Sequence, residues 1–146
     1  MPITSVTKDP ENLTMTVVAD FAVPLRRLWD AYVDPRQLEK FWGPPQFPAT
    51  FTRHDAFPGG VSTYAMTGPD GSTHGGYWEW TEVKEPEGDV ASFEVRDGFS
   101  RPDGTPNTDM PSMSMSFWFE STSDGSRVTT TTHQQHSYDG VAMTVL

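Results

Sequence analysis

The chain has no cysteine, which excludes disulfide scaffolds, thiolate zinc sites, iron–sulfur clusters and cysteine nucleophiles together. It is also poor in positive charge: 10 lysines and arginines stand against 20 aspartates and glutamates, a net charge of −10 at pH 7. A field of that sign repels phosphate backbones and anionic surfaces, so neither nucleic acid nor a membrane is expected as a partner. No apolar run approaches the roughly 20 residues of a membrane span, and the first 20 residues lack the basic start and apolar stretch of a signal peptide. A cytoplasmic location is the expectation. There is no Walker or Gly-x-Ser-x-Gly pattern either, and no cofactor is expected.

What is present is 146 residues, the size of one domain with one core. Residues 1–146 read as a single domain ordered over about residues 13–136, because residues 1–12 carry two prolines and no periodicity and read as a frayed lead-in. From Leu13 the apolar set Leu13, Met15, Val17, Ala19 and Phe21 alternates with Thr14, Thr16, Val18 and Asp20, the period of a half-buried strand. Pro24 then opens a helix whose stripe is Leu25, Leu28, Trp29 and Tyr32. Asp34 as N-cap and Pro35 at the first position start a second helix with stripe Leu38, Phe41 and Trp42, which Gly43, Pro44 and Pro45 stop.

Everything from Phe47 onward reads as strand and turn. Phe47, Ala49 and Phe51 share a face; Gly59-Gly60 breaks the pattern; Tyr64 and Met66 share the next face. Gly68-Pro69-Asp70-Gly71 is a turn that closes a hairpin onto the aromatic strand 77–83, and residues 84–89 form a charged turn. Ala91, Phe93 and Val95 alternate in the next strand, and residues 97–111 read as a mobile loop. Met113, Met115, Phe117 and Phe119 then alternate with Ser112, Ser114, Ser116 and Trp118, and Asp124-Gly125 turns into a strand with Val128, Thr130 and Thr132 on one face. The result is an α+β domain: an antiparallel sheet, apolar on one side, with two short helices after its first strand.

Pro24, Trp29, Asp34-Pro35, Leu38 and Phe41-Trp42-Gly43-Pro44 stand in the helix pair. Gly59-Gly60, Gly68-Pro69-Asp70-Gly71, Asp103-Gly104, Met110-Pro111, Phe117 and Arg127-Val128-Thr129 follow them. In order and spacing, across about residues 13–135, they resemble the family named for the activator of the heat-shock-protein-90 ATPase. That family lies within the START-like, birch-pollen-allergen superfamily that also holds polyketide cyclases. The resemblance implies a helix-grip fold, a curved antiparallel sheet wrapped around a long C-terminal helix with a cavity between. Here the chain ends at Leu146, soon after Ser137-Tyr138-Asp139, so that helix is expected to be truncated or absent. The apolar face would then lie open, at roughly 1.5 to 3 kcal/mol per wet large side chain, and either a truncated chain or a partner chain such as a homodimer mate is expected to account for it.

The inner face comprises Trp42, Phe51, Tyr64, Met66, Trp78, Trp80, Phe93, Met113, Met115 and Phe117. It reads as plain core, as a ligand cavity, or as both at once; aromatic bulk, adaptable methionines and a few polar tips suit a small-molecule site. The functional expectation is a domain that holds a hydrophobic small molecule (a lipid, polyketide or aromatic metabolite), with no catalytic constellation and no metal. One alternative, implied by the resemblance, is a co-chaperone module that stimulates a heat-shock ATPase through its charged outer surface. The other is a cyclase or dehydratase acting through cavity groups such as Tyr64, His54 or Glu79. Glu79, between Trp78 and Trp80, faces either the cavity or, more simply, solvent. Arg53 and Arg96 could meet an anionic ligand but read as surface ion-pair groups. The histidines His54, His74, His133 and His136 read as solvated strand-end groups, since i and i+3 on a strand face opposite ways. The Asp70 and Asp103 glycine turns lack the spaced carboxylates of a calcium loop.

Overall fold

The computed structural model describes residues 3–42, 46–101, 103–110 and 112–134. Ten elements follow one another: β1 (Ile3–Asp9), β2 (Thr14–Phe21), α1 (Leu25–Val33), α2 (Pro35–Leu38), β3 (Ala49–His54), β4 (Val61–Thr67), β5 (Thr73–Glu87), β6 (Val90–Phe99), β7 (Ser112–Thr122) and β8 (Gly125–Gln134). The eight strands form one curved antiparallel sheet in the order β1-β2-β8-β7-β6-β5-β4-β3. β2 and β3 are consecutive strands in the chain but have five other strands between them in the sheet. The α1–α2 link therefore has to cross a face of the sheet, and the apolar face is the one it crosses.

Amphipathicity sets which side of α1 turns inward. Leu25, Leu28, Trp29 and Tyr32 are all buried, while Arg26 and Arg27 are exposed. Trp29 packs edge-on against Phe93 and Phe119, and Tyr32 against Phe117 and Phe119. Burial that the sequence assigns to a C-terminal helix or a partner chain is thus supplied at Phe93, Phe117 and Phe119 by α1. Asp34 ends α1 and caps α2, accepting from the Arg36 N–H at 2.9 Å. α2 itself is shorter than the Leu38, Phe41, Trp42 stripe suggests; helical turns continue the path, with the Trp42 N–H donating to the Leu38 carbonyl at 2.9 Å. The entry to the crossing is tied to the sheet by Ser126, whose hydroxyl donates to the Val23 carbonyl at 2.7 Å. Ser126 is fully buried, so Ser126→Ala is expected to cost ~1 to 2 kcal/mol in urea unfolding; an unchanged midpoint would mean the tie contributes nothing.

Three sequence readings need correction. Residues 3–9 are not a frayed lead-in: they form β1, paired antiparallel with β2, so the helices follow the second strand of the sheet. β1 is an edge strand held by main-chain bonds, and almost all of its side chains are exposed, so no apolar period marks it. β5 runs on through residues 84–87 and leaves a turn only at residues 88–89, the strand being bent by register shifts at Trp80/Glu82 and Lys84/Glu87. Residues 97–99 belong to β6 rather than to a loop. The glycine-rich hairpin turn forms as expected, Gly71 N–H donating to the Gly68 carbonyl at 3.0 Å. The C-terminal helix and His136 lie outside the described residues, as do Gly43, Pro44, Pro45 and Pro111.

Candidate functional site

Eight of the ten predicted inner-face residues, Trp42, Phe51, Tyr64, Trp78, Trp80, Phe93, Met115 and Phe117, are buried, and Met66 and Met113 are half-buried. The tryptophans of β5 and the phenylalanines of β6 and β7 meet on one side of the sheet. Phe93 stacks on its cross-strand neighbour Phe117 at 4.3 Å between ring centroids, Trp80 lies 4.7 Å from Phe93, and Trp42 meets Trp78 edge-on at 4.7 Å. Cross-strand and edge-to-face aromatic pairs of this kind stabilise beyond their burial.

Two polar clusters interrupt the aromatic wall. At one end, Trp80 Nε1–H donates to Ser62 Oγ at 2.8 Å, and Ser62 Oγ lies 2.8 Å from His54 Nδ1. His54 Nε2 lies 2.9 Å from the Tyr32 carbonyl oxygen. A carbonyl only accepts, so Nε2 carries the proton. Burial lowers the His54 pKa, which leaves Nδ1 a bare lone pair that accepts the Ser62 hydroxyl. The relay links β5, β4, β3 and α1 with every partner satisfied. His54 is therefore not the solvated strand-end histidine expected. A bulge between Phe51 and Arg53 shifts the phase of β3, turning His54 inward and Arg53 outward.

At the other end lies a residue that the sequence reading placed in a loop. Asp97, opposite Met113 on β7, faces inward in the phase of Phe93 and Val95 and is 7% exposed. Tyr64 Oη donates to Asp97 Oδ1 at 3.0 Å. Burial raises the Asp97 carboxyl to about 7, against smaller opposing contributions from Tyr64 and the Gly98 N–H, and raises the Tyr64 phenol well above its ordinary range, reinforced by the Asp97 charge. The Tyr64 ring lies across Gly76, where a Cβ would collide with the phenol; the missing side chain makes that close approach possible. Beside this pair, Trp78 Nε1–H is buried with no hydrogen-bond partner among the described residues. It approaches the Tyr64 oxygen closely enough to oppose the rise in its pKa, but not in hydrogen-bonding geometry.

Of the groups a cyclase would require, Tyr64 faces inward, His54 is committed to the relay, and Glu79 is exposed on the outer face opposite Arg96. Arg53 is exposed and paired with Asp55 at 2.6 Å, the surface role expected of it. His74 and His133 are exposed. The signal for Asp97 was in the chain: Ala91, Phe93, Val95 and Asp97 keep one phase, and only the following glycine disguised it.

A curved antiparallel sheet that holds two short helices against an aromatic inner wall is a START-like fold. The chain belongs to the family described as Activator of Hsp90 ATPase homolog 1-like protein, which matches residues 22–144. Among solved structures it is similar to protein Ms6760 from Mycobacterium smegmatis, at 47% identity, 93% of this chain and 81% of that one, and a TM-score of 0.80. A protein from Arthrobacter aurescens shares 37% identity over 90% of this chain and 74% of that one, with a TM-score of 0.81. Ara h 8.0201 shares the fold at 15% identity, covering 89% and 81%, with a TM-score of 0.62. No curated protein matches the chain. Among the described residues, no helix is long and apolar enough to cross a membrane.

Proposed function

We propose that the chain acts as a single START-like domain that binds a hydrophobic small molecule, a lipid, polyketide or aromatic metabolite, against the inner wall of its sheet. The observation that carries this reading is the way the wall ends. Its centre is close-packed aromatic core, but toward Asp97 and Tyr64 it finishes in Met66 and Met113, half-buried on β4 and β7. Unbranched thioether side chains repack at low cost around a guest, which suits an adaptable entrance better than a sealed core. Polar groups beside an apolar wall supply orientation, the usual division of labour in small-molecule sites.

Native mass spectrometry and protein-observed methionine-methyl NMR of the whole chain, against panels of neutral aromatic and aliphatic compounds, test the reading. Bound compounds are expected to shift the methyl resonances of Met66 and Met113 before those of Met15, which is buried on β2. Failure of every panel member to bind would remove it.

A further inference from the structure

Resting on the ligand-binding reading, we infer that Trp78, Tyr64 and Asp97 form the polar recognition point of the wall and select a neutral aromatic ligand bearing a carbonyl oxygen, such as an aryl ketone or quinone, over an aromatic carboxylate. The first ground is the unpartnered donor. A buried N–H without an acceptor carries its desolvation cost in full, and an indole nitrogen can only donate. Among the described residues no acceptor meets it in hydrogen-bonding geometry, which leaves the N–H open to a ligand oxygen. Tyr64 Oη keeps acceptor lone pairs while its O–H donates to Asp97, but the Trp78 N–H does not meet it in hydrogen-bonding geometry, and its ring is held over Gly76 and against Phe51 at 4.9 Å.

The second ground is charge. Asp97 lies within the same cluster, deprotonated at pH 8, in a chain that carries −10 overall. A ligand carboxylate set beside it would bring two like charges together out of water, which both desolvation and repulsion oppose. A ketone oxygen meets the indole N–H without that conflict. Elsewhere the preference runs the other way: a cleft of about 250 Å³ between α1, the turns after α2 and the end of β2 is apolar at Phe21, Leu28 and Phe41 and carries Arg27 and Lys40. Anionic aromatics belong there if anywhere, so the charge of the preferred ligand distinguishes the two places.

The test is calorimetric titration of the whole chain at pH 8 with 2-acetylnaphthalene, 2-ethylnaphthalene and 2-naphthoate. The ketone is expected to bind about ten-fold or more tighter than either of the others. Trp78→Phe keeps a ring and deletes the N–H, and should shrink the advantage over 2-ethylnaphthalene to about three-fold or less. Should Trp78→Phe not fold, as judged by near-ultraviolet circular dichroism, Asp97→Asn serves instead and should strengthen 2-naphthoate binding about five-fold or more. Equal binding of all three probes, or tightest binding of 2-naphthoate, overturns this inference and leaves the ligand-binding reading standing. No binding by any of them overturns this inference, while the ligand-binding reading falls only if the wider panels of aromatic and aliphatic compounds fail as well.

Discussion

Asp97→Asn should make the protein more stable at pH 8, by as much as ~4 kcal/mol, and should confer little or no advantage near pH 4. The carboxyl titrates at about 7 in the folded chain and near 3.8 when exposed, and at about 1.4 kcal/mol per pH unit that interval sets the ceiling. The sign follows from which state holds the proton. Between about pH 4 and pH 7 the folded chain keeps a proton that the unfolded chain has released, so the Asp97 contribution is fully present below 3.8 and is lost as pH rises through about 7. His54 acts in the opposite sense. Its pKa is lowered by burial, so its contribution is present above the unfolded value of 6.5 and is lost as pH falls below it. The asparagine variant retains the His54 dependence and sheds that of Asp97. Urea unfolding at pH 5 and pH 8 separates them: the two proteins should diverge as pH rises, and parallel profiles would show that Asp97 is not the buried acid described.

Ser62→Ala should cost ~2 to 4 kcal/mol, a large effect for the loss of one oxygen atom. The hydroxyl accepts from Trp80 Nε1–H and donates to His54 Nδ1, and Ser62 and Trp80 are 0% and 2% exposed. Its removal strands two partners together. A stranded buried polar group costs ~1 to 3 kcal/mol, with His54 at the lower end because it is only half-buried. The damage should be partly reversible by a second change. Trp80→Phe removes the stranded donor, so the double variant is expected to be distinctly less than additive. An additive pair, or a Ser62→Ala cost under about 0.5 kcal/mol, would break the relay as described.

Both predictions turn on residues whose importance was unevenly visible. Periodicity alone placed the tryptophans of β5 and the phenylalanines of β6 and β7 on one side, because each strand buries one face and alternation then admits a single phase. The α1 stripe was equally legible, since four large side chains at helical spacing have one way to be buried together. Asp97 was hidden by composition: an Asp-Gly pair at the edge of a glycine- and proline-rich stretch resembles a turn, although its phase continues that of Val95. His54 was hidden by geometry. A single register shift after Phe51 reverses every later residue of β3, and no local property of the sequence marks it.

The order of apolar and polar residues determined which elements form, which face of each is buried, and that the buried faces make one aromatic wall. These follow from local periodicity and the free energy of removing apolar surface from water. Tertiary structure alone decided that β1 closes an edge, that α1 covers the middle of the wall, and that Tyr64, Asp97 and Trp78 converge. Those outcomes depend on contacts between strands distant in the chain, where register, bulges and the absence of a side chain at Gly76 set the distances.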